Sequence, residues 1–395
     1  MATFSVRFLG CKVSHLDAMQ VRERLLADGH REAAAGDVAV VNTCCVTNEA
    51  LSKSRQAAAR AARTHRRVYV TGCGANLDGE PFGDLPENVV IVPRRSDEAA
   101  QFVAGDVGAI GCVQADARLE RVRAFVKIQD GCSFSCNFCV IPLVRGGTRS
   151  RSAQAVIGEV RRRVAQGHRE VVLTGVNLGC FRDRDAGFTL PRLVRDVAAT
   201  PGLERLRLSS IEINHVSAEL VQALRETPTV AKHLHVPLQS GDDRVLKAMG
   251  RRYDVAAYLR KLESLDDFNL TSDVIVGFPA ETELAFENTL ATARKARLTK
   301  LHVFPYSPRP GTRTAADDPV PPHVKKERGA RLRAQSRVAC LEHWRAKLGR
   351  EDDVLVDRPG RGYGDDYSPW LVDAPVGEVV RVRAEAVTEE GIRAA

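Results

Sequence analysis

The chain has 395 residues, of which 44% are hydrophobic and 27% charged, and its formal net charge is +8. That length exceeds one ordinary core and predicts two or three domains; the composition is that of a soluble globular protein, with no apolar run near the ~18 residues that span a bilayer. The opening Met1-Ala-Thr-Phe-Ser-Val-Arg lacks the charged start and apolar core of a secretory signal, so the cytoplasm is the expected location and no membrane partner is expected.

In that compartment the ten cysteines are expected as ligands or buried thiols, because thiols there stay reduced. The positive balance comes mostly from arginine, whose fork suits phosphate. It makes nucleic acid a candidate partner, although a basic surface is also often simply solvated.

The first hundred residues alternate strand and helix patterns. Thr3 to Leu9 alternates and ends in Gly10-Cys11; Val38 to Val41 is an apolar run ending in Asn42-Thr43-Cys44-Cys45; Val68 to Val70 ends in Thr71-Gly72-Cys73. Helical patterns lie between, around Asp17 to Ala27 and Glu49 to Arg63. Such alternation predicts a parallel sheet, whose strand ends share one ligand-binding edge. Cys11, Cys44 and Cys73 would meet there, either as three corners of an iron–sulfur cluster or as ordinary buried thiols.

Residues 105 to 121 read as a connector, and a strand pattern resumes at Arg123 to Gln129. Directly after it, Cys132, Cys136 and Cys139 place three thiols within eight residues with no obvious fourth. Three cysteines can hold a cubane cluster and leave one iron open; a zinc knot completed by a distant residue is the alternative.

Strands then recur at βα spacing, at Glu170 to Leu173, Leu206 to Ser209, His233 to Val236, Ser272 to Val276 and Leu301 to Phe304, with helices such as Ala153 to Ala165 and Ala285 to Ala296. Six such units predict an open or partial barrel with its site at the carboxyl ends of the strands. The prolines of Asp317-Asp-Pro-Val-Pro-Pro322 mark a boundary, a charged helix follows from Lys325 to Leu348, and short alternating strands suggest a small terminal β-barrel. The expected division is 1–110, 120–322, a linker helix at 323–348, and 349–395. The fold class is α/β, with an N-terminal parallel sheet, a partial (β/α)6 barrel and a C-terminal β-barrel.

The spacing C-x-x-x-C-x-x-C after a strand, with Phe138 before the last cysteine, resembles the radical S-adenosylmethionine signature. Around it, Gly10-Cys-Lys-Val13, Asn42-Thr-Cys44, Thr71-Gly-Cys73, Val236-Pro-Leu-Gln-Ser-Gly241, Asp273-Val-Ile-Val-Gly-Phe-Pro279 and Phe304-Pro-Tyr-Ser-Pro-Arg-Pro-Gly311 occur in the order of the methylthiotransferase family. The resemblance covers nearly the whole chain, and the first and last motifs look like the branch acting on N6-threonylcarbamoyladenosine at tRNA position 37, 3′ of the anticodon.

That resemblance implies two 4Fe-4S clusters and S-adenosylmethionine as cofactors. Cys132, Cys136 and Cys139 would hold the radical-generating cluster, and Cys11, Cys44 and Cys73 an auxiliary one that presents sulfur. Phe138 would pack near the adenine, or belong to the core. Gly175, Asn177, Ser209, Glu212 and Gln239, at or after later strand ends, are the further candidates for binding S-adenosylmethionine. No catalytic residue is assigned beyond the cluster ligands. A flavodoxin or ferredoxin is implied as electron donor.

Three departures from the family pattern stand out: Ser14 where Asn is usual, Cys45 where Thr is usual, and Arg313 where Pro is common. Cys45 gives the auxiliary site two adjacent candidates, and Asn-Thr-Cys alignment selects Cys44. Cys112, Cys180 and Cys340 match no ligand position. Lys53, Arg55, Arg145, Arg149 and Arg151, together with Arg60, Arg63, Arg66 and Arg67, are candidates for tRNA contact, or a solvated face. The alternatives are the same reaction on isopentenyladenosine or on a ribosomal protein aspartate, and a non-catalytic RNA-binding iron–sulfur redox sensor.

Overall fold

The computed structural model describes residues 1–109 and 122–395. They pack as two units. One takes in 1–109, Asp130–Thr148 and Ser307–Asp317; the other takes in 122–129, Arg149–Tyr306 and Asp318–Ala395. The three-cysteine segment thus packs with the N-terminal sheet, a grouping across sequence that the division at residue 120 does not express.

The first unit is built on an all-parallel sheet in the order Arg31–Glu32, Thr3–Phe8, Gly36–Thr43, His65–Gly72, Val89–Ile91. The period of two along its central strand explains the layering. Val38 and Val40 join Phe4, Val21, Leu25 and Ala99 in a cluster that includes helices Lys12–Ala27 and Ser96–Val107. Ala39 and Val41 join Ala57, Ala58, Val68 and Val70 in a second cluster, with helix Asn48–Ala62. A strand covered on both faces reads as a continuous apolar run, and this one does. Helix Ser96–Val107 occupies the first residues of the expected connector; 110–121, with Cys112, lies outside the described residues.

The second unit holds six parallel strands in chain order, Arg123–Lys127, Glu170–Thr174, Arg205–Leu208, His233–His235, Asn269–Val276 and Lys300–Pro305. They form two three-stranded sheets tied by the parallel bridges Leu206↔Val230 and Ser210↔His235, giving the expected partial barrel. Helix Ala153–Ala165 buries Ala153, Val156, Ile157 and Val160, a spacing that puts one apolar stripe on the sheet. Ser152 caps its start by accepting from Ala155 N at 3.3 Å.

After the proline-rich boundary, helix Pro322–Arg345 starts earlier than the charge pattern suggested, because proline suits a first turn whose N–H has no partner. A closed five-stranded barrel follows, around Val354, Val356, Trp370 and Ile392. It is anchored to the amino-terminal ends of the core strands. Glu170, fully buried, meets Arg123 at 2.9 Å, Arg207 at 3.0 Å and Arg205 at 3.4 Å. The same arginines reach across to the barrel: Arg207 donates to the carbonyls of Gly364 and Asp365 at 2.7 and 2.8 Å, and Arg205 to that of Tyr363 at 3.2 Å.

Candidate functional site

In the first unit the parallel strands deliver Cys11, Cys44 and Cys73 to loops at one edge of the sheet. Cys11 is the exposed N-cap of helix Lys12–Ala27, and its carbonyl accepts from His15 N at 3.0 Å. Gly10 has φ +117, and a Cβ there would lie 3.0 Å from Cys44 Cβ and 3.2 Å from Cys44 Sγ. Glycine is therefore what lets the Cys11 and Cys44 turns approach. Burial pushes the Cys44 thiol up, and the nearby charge of Cys11 adds to it. Cys73 is pushed up to about 12 by burial, with Arg145 opposing and Cys11 adding.

Cys44 has a dedicated brace. Ser54, fully buried on helix Asn48–Ala62, accepts from Cys44 N at 3.0 Å, and its single hydroxyl proton is shared between Ala50 O at 2.8 Å and Cys44 O at 3.2 Å. Cys45 instead belongs to an apolar cluster with Cys73, Leu77, Val140 and Val144, and its Sγ donates to the Cys73 carbonyl at 3.4 Å. Burial pushes its thiol up.

Arg145 corrects the surface reading given to it: its side chain is 7% exposed and it does not face solvent. Its Nε donates to Cys73 Sγ at 3.0 Å, Nη2 to Asp17 Oδ2 at 2.7 Å and Nη1 to Asp130 Oδ1 at 3.0 Å. Sequence reasoning overlooked Asp17, although Val13, Asp17, Val21 and Leu25 share one buried helix face and a carboxylate on such a face needs a partner. It also overlooked Arg309 of the Ser-Pro-Arg-Pro motif, which is 1% exposed, donates to Cys45 O at 3.2 Å and binds Asn48 Oδ1.

The loop of Cys132, Cys136 and Cys139 is tied to the segment that follows it. Cys132 N donates to Gly146 O at 3.0 Å, and Ser133 and Thr148 exchange backbone-to-hydroxyl bonds at 3.1 and 3.0 Å. Gly131 has φ +69, and a Cβ would come within 2.2 Å of Gly147 O, so the entry to the loop requires glycine. Cys139 N donates to Cys136 O at 3.1 Å and Phe134 N to Cys132 Sγ at 3.4 Å, leaving all three thiols partly accessible. Phe138 is half-buried beside them in sequence.

The remaining candidates lie in the second unit at strand ends. Gly175 follows Glu170–Thr174, and a Cβ there would meet Gln129 Oε1 at 3.0 Å; Asn177 N donates to that same oxygen at 2.8 Å. Ser209 Oγ is buried with no hydrogen-bond partner among the described residues. Glu212 already accepts from Asn214 N at 2.9 Å and Arg251 Nη2 at 3.0 Å. Gln239 has φ +65, held by its N–H to Asp273 O at 2.8 Å and its carbonyl to Ile275 N at 2.9 Å. Non-glycine residues are uncommon in that region.

Among the described residues no three His, Cys, Asp or Glu side chains gather closely enough to hold one metal ion. Thiol donors in sets of three fit iron–sulfur clusters in their chemistry. Of the arginines expected at RNA, Arg151 is engaged by Glu159 at 2.6 Å and by Lys127 O at 2.7 Å. Lys53 is exposed and pairs with Glu49 at 2.6 Å, Arg55 is half-buried and pairs with Asp84 at 2.5 Å, and Arg149 is half-buried.

Residues 126–293 match the model of the Radical SAM superfamily, and residues 3–92 that of Uncharacterized protein family UPF0004. The chain is 34% identical to the threonylcarbamoyladenosine tRNA methylthiotransferase MtaB of Thermotoga maritima, over 99% of this chain and 96% of that protein. It is 33% identical to the tRNA-2-methylthio-N(6)-dimethylallyladenosine synthase of Erythrobacter litoralis, over 96% of this chain and 94% of that protein. Among solved structures, the radical S-adenosylmethionine methyltransferase TsrM of Kitasatospora setae, with cobalamin and a 4Fe-4S cluster bound, shares its fold. The TM-score is 0.58 at 14% identity, covering 79% of this chain and 77% of that one.

Proposed function

The chain belongs to the radical S-adenosylmethionine tRNA methylthiotransferase family, and from that premise we propose that it inserts a methylthio group at C2 of N6-threonylcarbamoyladenosine 3′ of the anticodon. It is an enzyme whose cofactors are S-adenosylmethionine and 4Fe-4S iron–sulfur. The proposal adds that there are two clusters, one on Cys11, Cys44 and Cys73 and one on Cys132, Cys136 and Cys139. The observation that carries it is that both three-cysteine sets belong to one compact unit, the first braced by the buried Ser54 hydroxyl and the second by the Ser133–Thr148 exchange. When bound, the clusters and S-adenosylmethionine would supply a 5′-deoxyadenosyl radical and the sulfur to be transferred.

The chain's own residues prepare that chemistry. Gly10 and Ser54 hold Cys44 beside Cys11, while Gly131 and the Ser133–Thr148 exchange fix the second loop. Ser209, Gly175, Asn177, Glu212, Gln239 and Phe138 are proposed for S-adenosylmethionine, and the buried Ser209 hydroxyl without a hydrogen-bond partner supports the reading most directly. We further propose residues 1–110 as the auxiliary-cluster domain, 120–322 as the radical core and 349–395 as an RNA-binding barrel, with a flavodoxin or ferredoxin as reductant in the cytoplasm. Lys53, Arg55 and Arg149 remain proposed tRNA contacts.

Substrate choice has a second reading, favoured by the 33% identity to a dimethylallyladenosine synthase. Digestion of tRNA from cells with and without the gene, followed by mass spectrometry of the nucleosides, separates the two. Loss of 2-methylthio-threonylcarbamoyladenosine in the deletion strain is expected. Its persistence where no second enzyme makes it, with loss of methylthio-isopentenyladenosine, would transfer the assignment to the second substrate.

A further inference from the structure

The Arg145 guanidinium lies where two carboxylates and a cysteine sulfur from separate stretches of one unit meet. Asp17 is on the helix capped by Cys11, and its side chain is 3% exposed. Cys73 directly follows the strand His65–Gly72 and is likewise 3% exposed. Asp130 precedes the second cysteine loop, and its Oδ1 accepts both from Arg145 Nη1 at 3.0 Å and from Gly131 N at 2.8 Å, the amide directly before Cys132.

Two of the five N–H donors of the guanidinium reach the carboxylates. Here the third donor, Nε, is spent on a sulfur at 3.0 Å. Three acceptors in three directions need the rigid fork of guanidinium, which an ammonium point charge does not reproduce. A hydrogen bond to a ligand sulfur draws electron density from the iron and favours the reduced cluster.

We infer that Arg145 is a positioning residue that raises the reduction potential of the cluster on Cys11, Cys44 and Cys73 through its N–H···S bond, while anchoring the peptide that enters the other cysteine loop. Asp17 sets the opposing contribution, because its carboxylate shares the guanidinium and offsets its charge. The inference rests on the two-cluster reading above.

The test uses the full chain with Cys132, Cys136 and Cys139 replaced by Ala, anaerobically reconstituted, so that only the auxiliary cluster contributes. Iron and sulfide are assayed and the midpoint potential is read by titration monitored by electron paramagnetic resonance. In this background Arg145→Lys is expected to shift the midpoint to more negative potential at equal iron content, and Asp17→Asn to more positive potential. Equal midpoints for Arg145→Lys and its parent at equal iron would overturn the inference. If Arg145→Lys holds no iron, Asp17→Asn decides: a positive shift supports the inference and an unchanged midpoint overturns it. A parent that binds no cluster overturns the two-cluster reading itself, and the inference with it, before any Arg145 variant is compared.

Discussion

Ser54 Oγ accepts from Cys44 N at 3.0 Å, and its one proton is shared between Ala50 O at 2.8 Å and Cys44 O at 3.2 Å. A single buried hydroxyl thereby fixes the peptide of a proposed cluster ligand from a helix ten residues downstream. Ser54→Ala would leave the buried Cys44 N–H without a partner at a cost of about 1–3 kcal/mol. The expected outcome is a lower denaturation midpoint for the protein and weaker iron retention by the N-terminal cysteines. Unchanged iron retention after prolonged chelator exposure would show that the brace is not needed.

Cys44 and Cys45 are adjacent but stand in different surroundings, which predicts different consequences of replacement. Cys44→Ala is expected to remove one cluster's worth of iron from the reconstituted protein, whereas Cys45→Ala removes little and costs packing alone. Cys11→Ala and Cys73→Ala should behave as Cys44→Ala does, and all three should still release 5′-deoxyadenosine while failing to insert sulfur. Product formation by both Cys11→Ala and Cys73→Ala would disprove the auxiliary ligand set.

Gly131 offers a test confined to the other loop. Adding a Cβ forces a positive φ on a side-chain-bearing residue, worth about 1–3 kcal/mol, and drives it into Gly147 O at 2.2 Å. Gly131→Ala is therefore expected to lose the iron held by Cys132, Cys136 and Cys139 and to lose 5′-deoxyadenosine formation, while retaining the N-terminal cluster. Absorbance and iron analysis after reconstitution would distinguish this from a general folding defect, which would remove both.

These tests also mark what the sequence makes legible. The Val38 to Val41 run announces a strand because the central strand of a parallel sheet is covered on both faces, and Gly10-Cys11 and Thr71-Gly72-Cys73 announce turns because glycine has few other uses after a strand. Arg145 was not legible. It sits in a basic run with Arg149 and Arg151, and what buries it is Asp17, 128 residues away. Periodicity reports which faces are apolar within an element, but it carries no information about which distant carboxylate completes a charge. Ser54 was hidden for the same reason, since a serine on a helix otherwise rich in polar residues gives no sign of bonding to a cysteine.

The final prediction concerns the anchor of the C-terminal barrel and its pH dependence. Burial alone would push the Glu170 carboxyl up, but the guanidinium groups of Arg207, Arg123 and Arg205 outweigh it and hold the group below the usual carboxylate range. A carboxyl depressed in the folded state contributes its stability in full above the unfolded value of about 4.3, and that contribution disappears as pH falls through the folded value. The native protein should therefore lose stability on acidification below about pH 4, with Glu170 as one contributor. Glu170→Gln leaves three buried guanidinium groups without their shared anion, at a cost of about 3–5 kcal/mol near neutral pH. Because glutamine does not titrate, the variant's thermal midpoint should fall less steeply with acid than that of the unsubstituted chain, so the two curves converge at low pH. Curves that stay parallel throughout the acid range would assign the acid sensitivity to other groups, and the carboxyl–arginine cluster would be a fixed anchor with no part in it.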